Sequence, residues 1–325
     1  MPVVLIYAGI DEAGYGPMLG PLCVAGTVFV LPEHDPGEGA PELWRLLRAA
    51  VCRSPSDRAR RVAVNDSKKL KCPNDGPGHP LRHLERGVLA FFPYGEDAPD
   101  TDEALFAPLE AIVPDRPWFA GECTLPVAHT ADQTRISRGR VRRAMQRSGV
   151  QCEVMSCRVI DAGELNRSVA GHRTKADVNF DAAMELVQGI WSRWPREHPR
   201  VVIDRHGGRT RYAREIERAL AGSTVQVVAE TTTLSRYTVS RGGSSLTVSF
   251  ALEADGRFLP VALASMIAKY VRELLMQRLN RFFRGQMTGL KPTAGYFTDG
   301  RRYVTEIKPV IQRLHLASSD LVRTV

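Results

Sequence analysis

The sequence predicts an α/β fold with a central sheet, and three stretches carry this prediction. The apolar run Val3 to Ile10 reads as a strand that leads directly into two adjacent acids. Arg200 to Asp204 is another apolar run, of the kind typical of a strand covered on both faces. Phe180 to Trp194 carries apolar residues at helical spacing, which predicts a helix packed on such a sheet.

Composition restricts the class of protein. The chain has 325 residues, of which 43% are hydrophobic and 25% charged, so it can bury a full core and disorder throughout is excluded. The formal net charge of +8 and the pI of about 9.4 favour polyanionic partners, nucleic acid ahead of membrane. The longest apolar runs are too short to span a bilayer, and the N-terminus lacks the basic start of a signal peptide. We therefore expect a cytoplasmic location.

The cysteines give no sign of a metal or disulfide framework. Six are scattered along the chain without a Cys-x-x-Cys pair. We expect buried, reduced thiols.

The first strand ends, by this reading, at Asp11 and Glu12. Successive strand side chains point to opposite faces, so the two acids can share a face only if the chain turns there. Gly14 and Gly16 would allow such a turn and a close approach to a ligand. The pair could bind a metal, or it could only end the strand and satisfy loop amides.

The other elements follow from alternation, helical spacing and turn residues. A glycine pair at 242–243 between two alternating runs predicts a hairpin over 236–252. We predict strands at Cys23 to Leu31, Gln151 to Ile160 and Thr224 to Glu230, and helices at Leu43 to Val51, Leu81 to Phe91, Arg135 to Arg147 and Arg211 to Ala221.

Two basic stretches could contact phosphates. Ser67, Lys68 and Lys69 stand at a loop-to-helix junction, where a hydroxyl and two ammonium groups can hold a phosphate, or where the lysines are simply solvated. The predicted helix Arg135 to Arg147 holds six arginines, and their spread around it fits a solvated face as well as a binding groove.

Two further acids stand at chemically suggestive places. Asp204 ends its apolar strand, and ligand sites of α/β sheets lie at the carboxyl ends of strands. Asp255 precedes an apolar helix that carries Lys269 and Arg272. Glu253, two residues earlier, is the competing candidate for the fourth acid of the site. Lys269 and Arg272 are phosphate contacts or the solvated edge of that helix. His206, close to Asp204, is read as a loop residue.

Several of these motifs, taken in order, resemble the type 2 ribonuclease H family, the ribonuclease HII family. The carrying stretches are Asp-Glu-Ala-Gly-Tyr-Gly-Pro from Asp11, Asp-Ser-Lys-Lys-Leu from Asp66, and Ala-Leu-Ala-Ser-Met-Ile-Ala-Lys after Asp255. A Gly-Tyr-Phe-Thr segment around Tyr296 is similar to the family's Gly-Tyr-Gly-Thr. Tyr15 departs from the family, which has arginine there.

The resemblance implies a chemistry. Asp11, Glu12, Asp204 and Asp255 would be the catalytic metal ligands for two Mg2+ or Mn2+ ions, which hard oxygen ligands select. Gly14, Tyr15 and Gly16 would read the ribose 2′-hydroxyl, and Tyr296 would stack on a sugar. Further substrate contacts would come from Ser67, Lys68, Lys69, Lys269 and Arg272. The substrate would be an RNA/DNA hybrid or duplex DNA containing ribonucleotides.

The resemblance also implies an architecture: a ribonuclease H-like α/β fold with a mixed five-stranded sheet flanked by helices, plus a C-terminal helical extension. We predict a catalytic domain over 1–285 with insertions near 72–134 and 231–253, and a substrate-closing segment over 286–325. The extra N-terminal domain of type 3 relatives is expected to be absent, and the protein to be a monomer without a membrane partner. Two alternatives stay open: a nuclease of this fold acting on DNA structures, and a nucleic-acid-binding protein with a degenerate site.

Overall fold

The structure is a computed structural model that describes residues 4–324 except 58, 75, 96, 172 and 206. Its strands are β1 Leu5–Ala13, β2 Leu22–Leu31, β3 Val51–Cys52, β4 Val62–Ala63, β5 Gln151–Ile160, β6 Arg200–Asp204, β7 Thr224–Glu230, β8 Leu234–Arg241 and β9 Ser244–Ala251. Its α-helices are α1 Leu43–Leu46, α2 Ser67–Leu70, α3 Arg82–Phe91, α4 Asp102–Phe106, α5 Ala131–Arg147, α6 Ala162–Ala170, α7 Lys175–Arg193, α8 Ala213–Ala219, α9 Leu259–Gln286, α10 Phe297–Arg313 and α11 Ser318–Leu321.

A mixed sheet forms the centre of the molecule, with strand order β5-β2-β1-β6-β9-β8-β7. The strands β1, β6 and β9 run parallel to one another, and the other pairings are antiparallel. The predicted α/β fold with a mixed sheet flanked by helices is confirmed. The expected count of five strands is wrong, because the sheet has seven.

The hairpin β8–β9 accounts for part of this difference. Its Gly242-Gly243 turn is confirmed, and both glycines have a positive φ. The segment 231–253 was expected as an addition to the domain, but β9 pairs directly with β6 at the centre of the sheet. It therefore builds part of the site's support.

Two apolar layers cover the sheet, one on each face. Odd-numbered residues of β1, such as Tyr7, pack in the layer that contains α9, and even-numbered ones, such as Ile10, pack with α7 and α8. This alternation follows from the period of two along a strand. Gly9 lets α9 approach closely, since a Cβ there would lie 2.2 Å from the backbone nitrogen of Val261.

Segment 72–134 was predicted as an insertion that contains the helix Leu81 to Phe91. The helix α3 is confirmed, but the segment is not loosely attached. Glu85 of α3 is fully buried and accepts a hydrogen bond from Tyr270 of α9, and Asp102 forms a buried ion pair with Arg278. The segment is therefore part of the main core.

Smaller differences concern local structure. The predicted helix over 43–51 is one turn of helix followed by the short strand β3. After β5 the chain enters the helix α6, whose first turn Asp161 caps. All six cysteines are free thiols, and five of them are buried, as expected. Among the described residues no helix has the length and apolar character needed to cross a membrane.

Candidate active site

The site residues lie at the carboxyl edge of three adjacent parallel strands. Asp11 and Glu12 lie in β1, Asp204 ends β6, and Asp255 lies in a single 3-10 turn that follows β9. Because parallel strands present their carboxyl ends at the same edge, the fold brings together acids that are far apart in sequence. The amide of Ala254 donates a hydrogen bond to Asp204 Oδ1 at 2.7 Å, which joins the two ends.

The sequence suggested that the first strand ends, and could turn, at Asp11 and Glu12. The structure has no turn there. The strand β1 continues through Ala13 and pairs with β2 along its whole length. The two carboxylates therefore point to opposite faces of the sheet edge. Ser265 of α9 lies beside Asp11 and Asn179 of α7 beside Glu12, and each polar side chain lowers the pKa of its carboxyl neighbour.

The acids repel one another strongly. Burial, followed by the charges of Glu12 and Asp204, raises the pKa of Asp11 well above its usual value. Burial and Asp204 raise the pKa of Glu12 to about 7. Burial also raises the pKa of Asp204, and burial with the neighbouring Asp66 raises that of Asp255 to about 6. Folding thus concentrates negative charge that a cation would stabilise.

Asp255 and Glu253 were both candidates for the fourth acid of the site. They differ in their interaction with the other acids and in their backbone position. The charge of Asp255 acts on Asp11, and Asp255 itself feels Asp204. Glu253 is exposed, in a left-handed backbone conformation with φ 52°, after the strand has ended at Ala251. The two residues are therefore not on one strand face, and Asp255 is the one that joins the acid group.

Two buried arginines hold the glycine-containing loop 14–20 from the protein interior. Arg323 donates to the carbonyl oxygens of Gly14, Pro17 and Gly20, and Arg272 donates to that of Leu19. Both arginines are buried. Only glycine fits at position 14, because φ is +88° and a Cβ would lie 2.6 Å from Arg272 Nε.

This clamp orients the loop amides. In a trans peptide the C=O and N–H bonds point in opposite directions. When the Gly14 carbonyl faces Arg323, the N–H of Tyr15 in the same peptide unit faces away from it. The loop thereby keeps a backbone donor directed away from the buried arginines.

The donor set fits a hard divalent cation in kind, since every candidate ligand is a carboxylate oxygen and the four acids disfavour one another without a counter-charge. Within the described part of the chain, no group of three or more acid, histidine or cysteine side chains is already arranged around a common metal position.

Part of the chain matches a known protein family. A family model described as ribonuclease HII matches residues 203–316, a segment that includes Asp204, Asp255, α9 and Tyr296. Over that segment the chain is similar to the type 2 ribonuclease H family. This match supports a hydrolase of the ribonuclease H type. No curated protein matches the chain.

Solved structures of the family are similar over nearly the whole chain, at low identity. The ribonuclease HII of Archaeoglobus fulgidus, solved as a complex with PCNA, is 19% identical, with 98% of this chain and 94% of that chain covered and a TM-score of 0.41. Ribonuclease H2 from Pyrococcus horikoshii OT3 is 15% identical, with 98% and 92% covered and a TM-score of 0.45. Bst-RNase HIII in complex with Mn2+ is 14% identical, with 99% and 66% covered and a TM-score of 0.44.

The Asp-Ser-Lys-Lys motif that begins at Asp66 lies against the acids. Ser67 is buried, and its side chain hydrogen-bonds Ser265 at 3.0 Å, so its hydroxyl connects α2 with α9. Lys68 is exposed, and its charge lowers the pKa of both Glu12 and Asp204. Lys69 is exposed beside it.

Lys269 and Arg272 differ from the expectation of a solvated helix edge. Lys269 is 7% exposed and forms an ion pair with Glu273 at 2.7 Å, and Arg272 is fully buried. Because α9 packs on β1 over this length, these side chains support the loop and the helix from inside. An exposed positive charge that acts on the acids comes from Lys68 of α2.

The two tyrosines lie at the surface of the site. Tyr15 is 37% exposed, near Glu12, with the ammonium of Lys175 at 4.6 Å from its ring centre. Gly16 beside it has open space around its Cα. Tyr296 is 52% exposed and precedes α10, with Arg272 at 6.0 Å from its ring centre. His206 lies outside the described residues.

Sequence reasoning missed four residues that the fold brings to the site. Ser265 and Asp66 each lie within a motif that the sequence analysis quoted, so they could have been noticed there. Asn179 and Arg323 had none, because their neighbours are distant in sequence. They are Asp66, Asn179, Ser265 and Arg323.

Proposed function

We propose that this protein is a ribonuclease H, a metal-dependent endoribonuclease that hydrolyses the RNA strand of RNA/DNA hybrids, or ribonucleotides embedded in duplex DNA. The observation that carries the proposal is the meeting of Asp11, Glu12, Asp204 and Asp255 at one sheet edge with raised pKa values. Products with 3′-hydroxyl and 5′-phosphate ends are expected. We further propose that it works as a monomer in the cytoplasm.

The four carboxylates would hold two Mg2+ or Mn2+ ions. Bound there, such ions lower the pKa of a water and stabilise the leaving oxygen of a phosphodiester. Other residues of the chain would position the acids and attract the substrate. Ser265 and Asn179, beside Asp11 and Glu12 on opposite faces, would orient these carboxylates, and the exposed ammonium of Lys68 would attract a substrate phosphate.

Selection of ribose would come from the loop 14–20. A 2′-hydroxyl is what distinguishes RNA from DNA at one position. The backbone N–H of Tyr15 can donate to it whatever side chain the residue carries, so the change from arginine leaves this contact intact. The exposed ring of Tyr296 supplies a stacking surface on the same side.

The test is cleavage of three labelled duplexes, one with a single ribonucleotide in DNA, one RNA/DNA hybrid and one all-DNA, with Mg2+ or Mn2+. We expect a cut on the 5′ side of the ribonucleotide and cuts in the hybrid. Asp255→Asn should lower kcat by about a hundredfold or more, as loss of a group that stabilises the transition state does. Glu253→Gln, two residues away and exposed, is the matched control and should keep the wild-type rate.

Cutting of the all-DNA duplex at a comparable rate would favour a nuclease for DNA structures. Binding without any cutting, in well-folded protein, would refute the proposal and leave a nucleic-acid-binding protein.

A further inference from the structure

Some of the arginines of helix α5 line a groove on the protein surface. Three of its arginines, Arg140, Arg143 and Arg147, are exposed and spaced so that they share one helix face. Arg61 lies opposite them across a concavity of about 260 Å3. A second concavity of about 680 Å3 also contains Arg61 and is lined by Arg45, Arg48 and Arg53. We call these two adjoining concavities the basic groove.

The other arginines of α5 have different surroundings, which shows that the groove is a feature of one face. Arg138 is buried and donates to the carbonyl oxygens of Phe92, Tyr94 and Gly95. Arg135 pairs with Asp132 at the surface.

Little negative charge opposes the groove. Glu42 pairs with Arg53 at 3.1 Å, and Asp57 pairs with Arg61 at 2.7 Å. Among the residues that the structure describes, the side chains of Arg140, Arg143 and Arg147 have no carboxylate within ion-pair distance, and neither do Arg45 and Arg48. Guanidinium groups that converge in this way repel one another, so the groove is suited to an anion with repeated charges.

The groove is continuous with the candidate active site. Arg53, which stacks on Trp44 at 3.6 Å, donates to the carbonyl oxygen of Gly256 at 2.6 Å. Gly256 directly follows Asp255. The amide of Asn65, next to Asp66, donates to the carbonyl oxygen of Arg53. A polyanion lying across the acids would therefore reach the groove without leaving the surface.

We propose that the basic groove binds the phosphate backbone of a nucleic-acid duplex beside the active site. This inference rests on the proposed function for its choice of polyanion. Planar guanidinium groups match phosphate oxygens in two-point contacts. The shared face of α5 from Arg140 to Arg147 is about 10 Å long at 1.5 Å per residue, enough to follow several nucleotides. The groove would contribute affinity without sequence preference.

The test compares binding of an all-DNA duplex in the presence of a chelator, at salt concentrations between about 50 and 200 mM. One variant replaces Arg140, Arg143 and Arg147 with glutamine. Its charge-matched control replaces three exposed arginines elsewhere, namely Arg135, Arg193 and Arg196.

If the groove contacts three phosphates, the slope of log K against log salt falls in magnitude by about 2 to 3 in the groove variant. With lines that converge near 1 M salt, this corresponds to roughly hundredfold to thousandfold weaker binding at 0.1 M. The control should keep the wild-type slope. Groove and control variants with equal slopes would overturn the proposal.

A single adjacent pair guards against misfolding of the triple variant. Arg143→Gln should lower the slope by about 1, whereas Arg142→Gln should leave it unchanged. Both side chains are exposed on α5, but Arg143 lines the basic groove, whereas Arg142 lines only a neighbouring concavity with Glu33, which Arg147 also borders. Equal effects of the two would again overturn the proposal.

Cleavage kinetics separate this proposal from the proposed function. On a ribonucleotide-containing duplex the groove variant should raise KM and leave kcat unchanged. If the wild type cuts nothing, the proposed function fails while the binding comparison still decides the groove. If the groove variant binds DNA like the control but loses binding to polyglutamate, an acidic protein is the partner and the duplex proposal is overturned.

Discussion

The buried ion pair between Asp102 and Arg278 offers a quantitative test of how segment 72–134 is joined to the catalytic core. Arg278 lies in α9 and donates to both carboxylate oxygens of Asp102, at 2.7 and 2.8 Å. Asp102 is fully buried and Arg278 is 1% exposed. Arg278 also donates to the carbonyl oxygen of Phe119 at 2.9 Å, and the amide of Cys123 donates to Asp102 at 2.7 Å.

Asp102→Ala removes one partner and leaves a buried guanidinium without its main counter-charge. The expected loss in free energy of unfolding is about 3 to 5 kcal/mol. A protein domain has only about 5 to 15 kcal/mol in total, so the variant should be markedly less stable. The assay is urea unfolding followed by tryptophan fluorescence, to which the buried Trp118 of the same segment contributes.

Two controls make the result interpretable. Asp132→Ala breaks an ion pair whose side chains are more than three quarters exposed, and should cost about 1 kcal/mol or less. The double replacement Asp102→Leu with Arg278→Met removes both charges, and should be more stable than Asp102→Ala alone. A cost of Asp102→Ala below about 1 kcal/mol, or a double variant less stable than the single one, would refute the reasoning.

Three further outcomes are expected. Gly9→Ala should cost about 1 to 3 kcal/mol in urea unfolding because its Cβ meets the backbone of α9, whereas Gly16→Ala, with nothing within 4 Å, should be neutral; equal costs would contradict the close packing. Arg323→Met should free the loop 14–20 for protease cleavage and weaken discrimination of ribose from deoxyribose, with Arg323→Lys restoring part of both; unchanged proteolysis and selectivity would count against the clamp. Burial raises the pKa of Glu85, but hydrogen bonds to its carboxylate outweigh burial and hold the pKa below the ordinary 4.5. The stabilisation from this carboxylate is therefore present above pH 4.5 and is lost as the pH falls further. Glu85→Gln should reduce this loss of stability at acid pH, and an unchanged acid limb would refute the assignment.

The predictions from sequence succeeded where local pattern decides structure. The strands β5, β6 and β7 have the predicted bounds, because alternation or continuous apolar runs define a strand over its own length. The hairpin turn at Gly242 was predictable for the same reason. The end of β1 was not, since pairing with β2 carries the strand through two acids that local pattern reads as a terminus.

The candidate site divides in the same way. Asp11, Glu12, Asp204 and Asp255 could be named from their positions after apolar strands and from motifs, and their roles stay predictions. The resemblance favoured Asp255, but the sequence left Glu253 as a competitor, because separating them depends on the turn after β9. The division at residue 285 and the role of 286–325 also stay predictions.

By itself the sequence determined the kinds of element, the acids at strand ends and the basic character of the surface, since each depends on residues close together in the chain. Only the tertiary structure decided which face each acid occupies and which arginines are buried. Arg138 and Arg323 look like ordinary surface cations in the sequence, yet each holds several backbone carbonyls in the interior. Their partners are contributed by distant segments, and burial becomes visible only when those segments pack together.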